Sequence, residues 1–321
     1  MVVYRLEKKG LNDFLSKLKE CYPIIAPVSD DLVRWKKVDD IDDINLDEQP
    51  YFPLKEFFFR KKEAVFRFDG DKVIPAKVKA QPTVFFGIRR CDLHAVERQD
   101  IVYMKDARDP HYIEARHNSF LLGYHCNTAP GKHCFCGSMD LEEFHDLMFF
   151  DEGDHYLLEV GSDKGKGLIA DFRNFFTKTN EISDERKIIP ETDKLKNKDI
   201  SNLYNNTDWK KGVDLCFSCA ACTILCPTCY CFQINDEIRD DNGCDRCREW
   251  SSCQLQSFTR VAGDHVFRKE RDARFKHRIY HQMQYFKEHY GKNLCVGCGR
   301  CITGCPTEID WIKILNEMND G

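Results

Sequence analysis

The chain has 321 residues, 42% of them hydrophobic and 31% charged, with a formal net charge of −5. Such a composition suits a globular protein long enough for two domains and a sizeable core, and the lack of a basic excess argues against a nucleic-acid partner. The longest apolar runs fall far short of the ~20 residues that span a bilayer, and the first ten residues alternate charged and apolar types without a signal-peptide core. The expectation is a cytoplasmic protein with no membrane partner.

Eighteen cysteines are the exception to this ordinary composition. A chain of this length needs no disulfide staples, and without an export signal its thiols are expected to stay reduced. Metal thiolates are therefore the better reading. Exposed clusters of that kind are oxygen-sensitive, which implies an anaerobic or low-oxygen setting.

In chain order, Leu11, Phe14, Leu15 and Leu18 give the spacing of an amphipathic helix over Leu11–Glu20. Tyr22–Val28 and Leu32–Val38 read as short strands. Phe57, Phe58 and Phe59 are expected in the core, and the alternation Ala64–Phe68 ends in the turn signal Asp69-Gly70. Two later runs, Thr83–Ile88 and Ser119–Tyr124, are continuously apolar; a helix over Leu93–Met104 separates them, with Asp92 as its N-cap. Such strands, joined through a helix, predict a parallel pair buried on both faces. Sites in such sheets gather at the carboxyl ends of strands.

Cys91 and Cys126 fall at those ends, and Cys134 and Cys136 follow closely. This topology brings four thiols together. The first reading is an iron–sulfur cluster, with structural zinc and buried free thiols as alternatives. Arg89 and Arg90 either support the charge of such a cluster or are solvated. Leu147–Phe150 and His155–Val160 read as a hairpin about Asp151–Asp154. Gly165–Ala170 spells G-x-G-x-x-A, but no long strand leads into it and a surface turn is expected.

From Thr177 the chain turns polar and charged, so residues 177–210 are expected as a linker or surface excursion. Beyond it lies the strongest signal. Cys295, Cys298, Cys301, Cys305 and Pro306 form C-x2-C-x2-C-x3-C-P, the run of a 4Fe–4S cluster whose fourth cysteine serves a different cluster. The required second copy is Cys216, Cys219, Cys222, Cys226 and Pro227. The expected ligand sets are Cys216, Cys219, Cys222 with Cys305, and Cys295, Cys298, Cys301 with Cys226. The Cys91, Cys126, Cys134 and Cys136 set would then be a third cluster.

About 70 residues separate the two runs. Phe275, Ile279, Met283, Phe286 and Tyr290 mark a long helix ended by Gly291. Its basic residues Arg268, Lys269, Arg271, Arg274, Lys276 and Arg278 are expected to be solvated, with binding of partner carboxylates or compensation of cluster charge as the alternatives. His277 and His281 are expected at the surface. Cys229, Cys231 and Cys253, alone or with Cys244 or Cys247, form an additional metal site or else remain reduced thiols. Cys21 stands alone and reads as structural. The expected class is thus α+β: an N-terminal α/β domain with a mixed sheet (1–176), then a mainly helical two-cluster domain with a long helical insertion (211–321). No convincing acid, base or nucleophile set for catalysis is visible.

Several phrases together resemble one family over nearly the whole chain: Phe85–Ala95, Cys134–Ser138, Cys226–Phe232, Trp250–Gln254, Ala262–Arg268 and Cys295–Pro306. It comprises the beta subunit of cytosolic sulfhydrogenases, which are NAD(P)-linked NiFe hydrogenases, and the similar A subunit of anaerobic sulfite reductase. The resemblance implies an electron-transfer subunit beside a flavin- and NAD(P)-binding, ferredoxin-reductase-like subunit that carries the FAD. The catalytic partner would be a NiFe hydrogenase or a sirohaem sulfite reductase. It also implies ligand roles for the eight ferredoxin cysteines, for Cys91, Cys126, Cys134 and Cys136, and for Cys229, Cys231 and Cys253; Cys244 and Cys247 have no counterpart. A self-standing iron–sulfur enzyme with substrate at the N-terminal cysteines and a zinc-rich interaction module are the competing readings.

Overall fold

The computed structural model describes residues 2–180, 182–196, 199–241 and 243–318. Its strands are β1 (Val2–Glu7), β2 (Ile24–Val28), β3 (Arg34–Lys37), β4 (Lys62–Asp69), β5 (Lys72–Pro75) and β6 (Thr83–Ile88). They continue with β7 (Ser119–Tyr124), β8 (Leu147–Asp151), β9 (His155–Val160), β10 (Thr177–Thr179), β11 (Phe232–Ile238) and β12 (Cys244–Trp250). Eight of them form one mixed sheet in the order β10-β1-β9-β8-β7-β6-β2-β3. The β2-β6-β7-β8 centre is parallel and the flanks are antiparallel, including the β8-β9 hairpin.

The centre is parallel because its strands are apolar on both faces. Val84, Phe86 and Leu122 pack on one side with Phe14, Leu15 and Leu18 of helix α1 (Leu11–Cys21). Phe85, Ile88 and Leu121 pack on the other with Leu93 and Val96 of helix α2 (Arg90–Asp100) and with Tyr103 and Tyr112. Successive residues of a strand point to opposite faces, so one run supplies two cores. Tyr112 sits on helix α3 (Pro110–His117), which returns the chain to β7.

Several expectations need correction. Helix α2 starts at Arg90 with Arg89 as N-cap, so Asp92 lies inside its first turn. Asp92 is buried and pairs with Arg300 instead of capping the helix. The Gly165–Ala170 stretch is not a turn but part of helix α4 (Asp163–Asp171), whose Ser162 cap accepts the amide of Gly165. Leu168 and Ile169 bury against the sheet there, and a Cβ at Gly165 would meet the Asp146 carbonyl oxygen. That glycine serves close packing, which sequence alone reads as turn chemistry.

The insertion between the cysteine runs is not wholly helical. It opens with the β11-β12 hairpin, which adds to β4-β5 in a second, four-stranded antiparallel sheet. The expected helix follows as Arg271–Tyr280, a π turn at His281–Tyr285 and Phe286–Tyr290, ended by left-handed Gly291. Stretch 177–210 adds β10 to the edge of the main sheet, and it buries Ile189, Leu195, Ile200, Leu203 and Trp209. These apolar residues are sparse and irregularly spaced, so they leave no periodic signal.

Trp209, Phe275, Ile279, Ile302, Trp311 and Leu315 share one core with Cys91, Ala95 and Phe135 from the N-terminal half. Among the described residues no helix is long and apolar enough to cross a membrane.

Candidate metal centres

Both ferredoxin runs fold as tight loops, with left-handed backbone at Ser218 and Ala220 in the first and at the equivalent Gly297 and Gly299 in the second. These turns aim the loop amides inward. The amide of Ser218 donates to the Cys216 sulfur at 3.4 Å, and that of Gly297 donates to the Cys295 sulfur at 3.5 Å.

Cys216, Cys219, Cys222 and Cys305 line one apolar cavity with about 60 Å³ of free space, closed by Phe275, Ile279, Ile309 and Trp311. The fourth cysteine of the second run thus faces the first three of the first run. Cys226 of the first run is an electrostatic neighbour of Cys295, Cys298 and Cys301 and raises the pKa of each, after burial itself. Further donors surround these sulfurs: Trp311 Nε1 donates to Cys301 at 3.4 Å, and the Thr228 hydroxyl lies 3.2 Å from Cys226.

Cys91, Cys126, Cys134 and Cys136 surround a second, smaller cavity, together with Gln49, Arg89, Thr192, Gly297 and Cys298. The α2 N-terminus carries Cys91, the end of β7 delivers Cys126, and the loop ahead of Ser138 delivers the other two. Burial pushes all four thiols up, Cys136 to about 12. Four sulfurs around one small cavity are the donor set that a tetrahedral ion or an iron–sulfur cluster takes, so the set fits a metal centre. Arg89, expected either beside the charge or in solvent, is buried; its guanidinium lowers the Cys126 pKa and donates to the Leu46 carbonyl.

The two halves meet at these loops. The Phe135 amide donates to the Gly297 carbonyl at 2.8 Å. A Cβ on Gly297 would stand 2.6 Å from Cys136 Cα, and one on Gly299 would stand 2.4 Å from the His133 carbonyl oxygen. Only glycine allows both this backbone conformation and this approach.

Cys229, Cys231 and Cys253 are electrostatic neighbours of one another. Cys244 and Cys247 lie elsewhere, on β12, where Cys247 Sγ faces Glu237 at 3.8 Å. Cys21 is exposed at the end of α1.

Two cations stand beside the cysteines, one for which sequence offers charge compensation only as an alternative and one that it does not place. Arg278 is buried, not solvated; it donates to the Cys222 carbonyl at 3.1 Å and lies among Cys226, Cys222 and Cys301. Arg274 and Lys276 are buried too, which corrects the expectation of a solvated face for these three, whereas Lys269 and Arg271 are exposed as expected. Lys55 is buried at 3% exposure beside Cys229, and nothing in its local sequence signals this. His277 and His281 are half-buried and stacked 5.7 Å apart, with His281 bonded to the Tyr230 hydroxyl at 3.0 Å.

Residues 215–309 match the family model of a 4Fe-4S dicluster domain. Over 333 residues the chain is 33% identical to sulfhydrogenase 2 subunit beta of Pyrococcus furiosus, covering 99% of this chain and 98% of the relative. The chain belongs to the sulfhydrogenase beta-subunit family. No solved structure matches it. In this chain the dicluster match takes in both ferredoxin runs and the hairpin between them, and it leaves Cys91, Cys126, Cys134 and Cys136 outside.

Proposed function

We propose that this chain relays electrons within a soluble, cytoplasmic oxidoreductase complex of an anaerobic setting. It passes them between a flavin- and NAD(P)-binding, ferredoxin-reductase-like subunit and a catalytic subunit. The latter is of the NiFe-hydrogenase type that the relative's name suggests, or of the sirohaem sulfite-reductase type. FAD and NAD(P) belong to the partner. Four-iron clusters, when bound, supply one-electron centres whose potentials follow burial, charge and hydrogen bonds to sulfur.

The ligand sets in this reading are Cys216, Cys219, Cys222 with Cys305; Cys295, Cys298, Cys301 with Cys226; and Cys91, Cys126, Cys134 with Cys136. The chain's own contribution is to hold and tune them. The Ser218 and Gly297 amides, the Trp311 indole and the Gln49 amide aim donors at sulfur. Arg278 and Arg300 add positive charge at buried positions.

One observation carries the reading. The loop from Cys295 to Cys301 contributes Cys298 and Gly297 to the wall of one thiol cavity and Cys301 to the wall of the other. Thiol sets joined through one loop suit a wire better than a single reaction centre.

Anaerobically prepared protein should hold about twelve irons per chain as three four-iron clusters, each reducible by one electron. About eight would remove the N-terminal cluster, and a colourless, iron-free protein would end the proposal. Co-purification of the native complex, with analysis for flavin, nickel and sirohaem, identifies the partners.

A further inference from the structure

The β8-β9 hairpin gathers a different donor set, built from nitrogen and oxygen. His145 lies just ahead of β8, Glu143 two residues before it, and Glu159 sits on β9 opposite Met148. Gly161 follows the hairpin. A Cβ there would stand 2.8 Å from His145 Cδ2, so glycine lets the imidazole lie against the backbone. Lys187 reaches in from the 177–210 stretch and ties the two carboxylates together, its Nζ 2.6 Å from Glu159 Oε1 and 3.2 Å from Glu143 Oε1.

The imidazole has no exposed surface, and neither ring nitrogen has a hydrogen-bond partner among the described residues. Glu159 Oε2 is likewise buried and without one. Nδ1 stands 3.6 Å from Glu143 Oε2, and Nε2 stands 3.7 Å from Glu159 Oε2. A direct hydrogen bond would close these gaps to about 2.9 Å, and a bridging water would open them to about 4.5 Å. Two donors on one tetrahedral ion with bonds of about 2.0–2.1 Å stand about 3.4 Å apart, which is the nearest match. One ring nitrogen and one oxygen of each carboxylate all lie within 4.8 Å of one another. Asp146 is no candidate, because its oxygens accept the Leu121 amide and the Ser162 hydroxyl.

The charges suit coordination as well. Burial pushes the His145 pKa down to about 4, so at neutral pH the ring is uncharged and keeps a lone pair for an ion. The nearby cations, Lys187 and Arg90, face the Oε1 atoms, Arg90 at 3.9 Å from that of Glu143. The Oε2 atom of each carboxylate is left turned to the ring.

We infer that Glu143, His145 and Glu159 bind one divalent ion of the zinc class. Lys187 holds the outer carboxylate oxygens and so positions the pair. The ion takes one ring nitrogen and leaves the other as an N–H toward a carboxylate, the contact that orients metal-bound imidazoles. Three protein ligands leave a fourth position, which half-buried Glu143 opens to water. No cysteine takes part, so the assignment does not depend on that of the clusters.

Zinc titration and zinc-edge X-ray absorption of the anaerobic full-length protein test this. The expected result is uptake of about one zinc per chain, with imidazole scattering and a nitrogen–oxygen shell at about 2.0–2.1 Å. No uptake, or a shell of sulfur alone at about 2.3 Å, would overturn the inference. His145→Gln and Glu159→Gln should each weaken zinc binding at least about tenfold and leave the iron content unchanged. Undiminished zinc binding in either folded variant would overturn it equally. The wild-type spectrum answers the question by itself should both variants misfold.

Discussion

Arg300 grips Asp92 through two parallel 2.7 Å hydrogen bonds, and its Nε donates to the Pro50 carbonyl at 2.9 Å. Arg300 precedes Cys301 and Asp92 follows Cys91, so this buried pair ties the second ferredoxin loop to the N-terminal thiol set. Removing one member of such a pair leaves an uncompensated charge and costs about 3–5 kcal/mol. Arg300→Met should lower the unfolding midpoint by that equivalent. Arg300→Lys, which keeps the charge but not the fork, should recover part of it. Magnetic coupling between neighbouring reduced clusters, read by electron paramagnetic resonance, should weaken in Arg300→Met; unchanged coupling and stability would reduce the pair to a bystander.

Gly297 makes a sharper test of the contact between halves. A Cβ there meets the backbone of Phe135 and Cys136 at 2.6 Å, and backbone cannot swing aside as a side chain can. Gly297→Ala should reduce iron content at the second ferredoxin loop and at the N-terminal set together. Gly167→Ala is the control, because a Cβ at this helix position meets nothing within 4 Å. That variant should keep full iron and gain up to about 1 kcal/mol from helix propensity.

Much of this was legible because cysteine spacing and hydrophobic period are local signals. Leu11–Leu18, the two apolar parallel strands and the hairpin ending at Val160 follow from residues close in sequence. The gathering of Cys91, Cys126, Cys134 and Cys136 was legible one step later, through the rule that strand ends converge. Lys55, Arg278 and Asp92 were not, since each is fixed by a partner more than 50 residues away. Gly165 misled because glycine marks tight packing as readily as a turn.

Arg278 should set redox potential. Its guanidinium lies among Cys226, Cys222 and Cys301, and reduction adds negative charge where that cation stands. Arg278→Gln removes the charge while keeping a donor for the Cys222 carbonyl. The reduction potential of at least one ferredoxin-type cluster should fall on the order of 60 mV, a tenfold change for one electron. Potentiometric titration reads the shift directly, and a null result would mean that solvent already screens the charge.

Trp209 tests where the C-terminal core begins. Its ring is fully buried, packs 6.3 Å from Phe275 and 6.1 Å from Tyr280, and its Nε1 donates to the Leu203 carbonyl at 2.7 Å. If 200–209 were a passive connector, Trp209→Ala would change stability by no more than about 0.5 kcal/mol, as surface changes do. Loss of a buried aromatic instead costs about 3–5 kcal/mol. Chemical unfolding followed at the iron–sulfur absorption band should show the larger value, because Phe275 and Ile279 also wall the cavity of Cys216, Cys219, Cys222 and Cys305. Iron should then be released at lower denaturant from that cavity first.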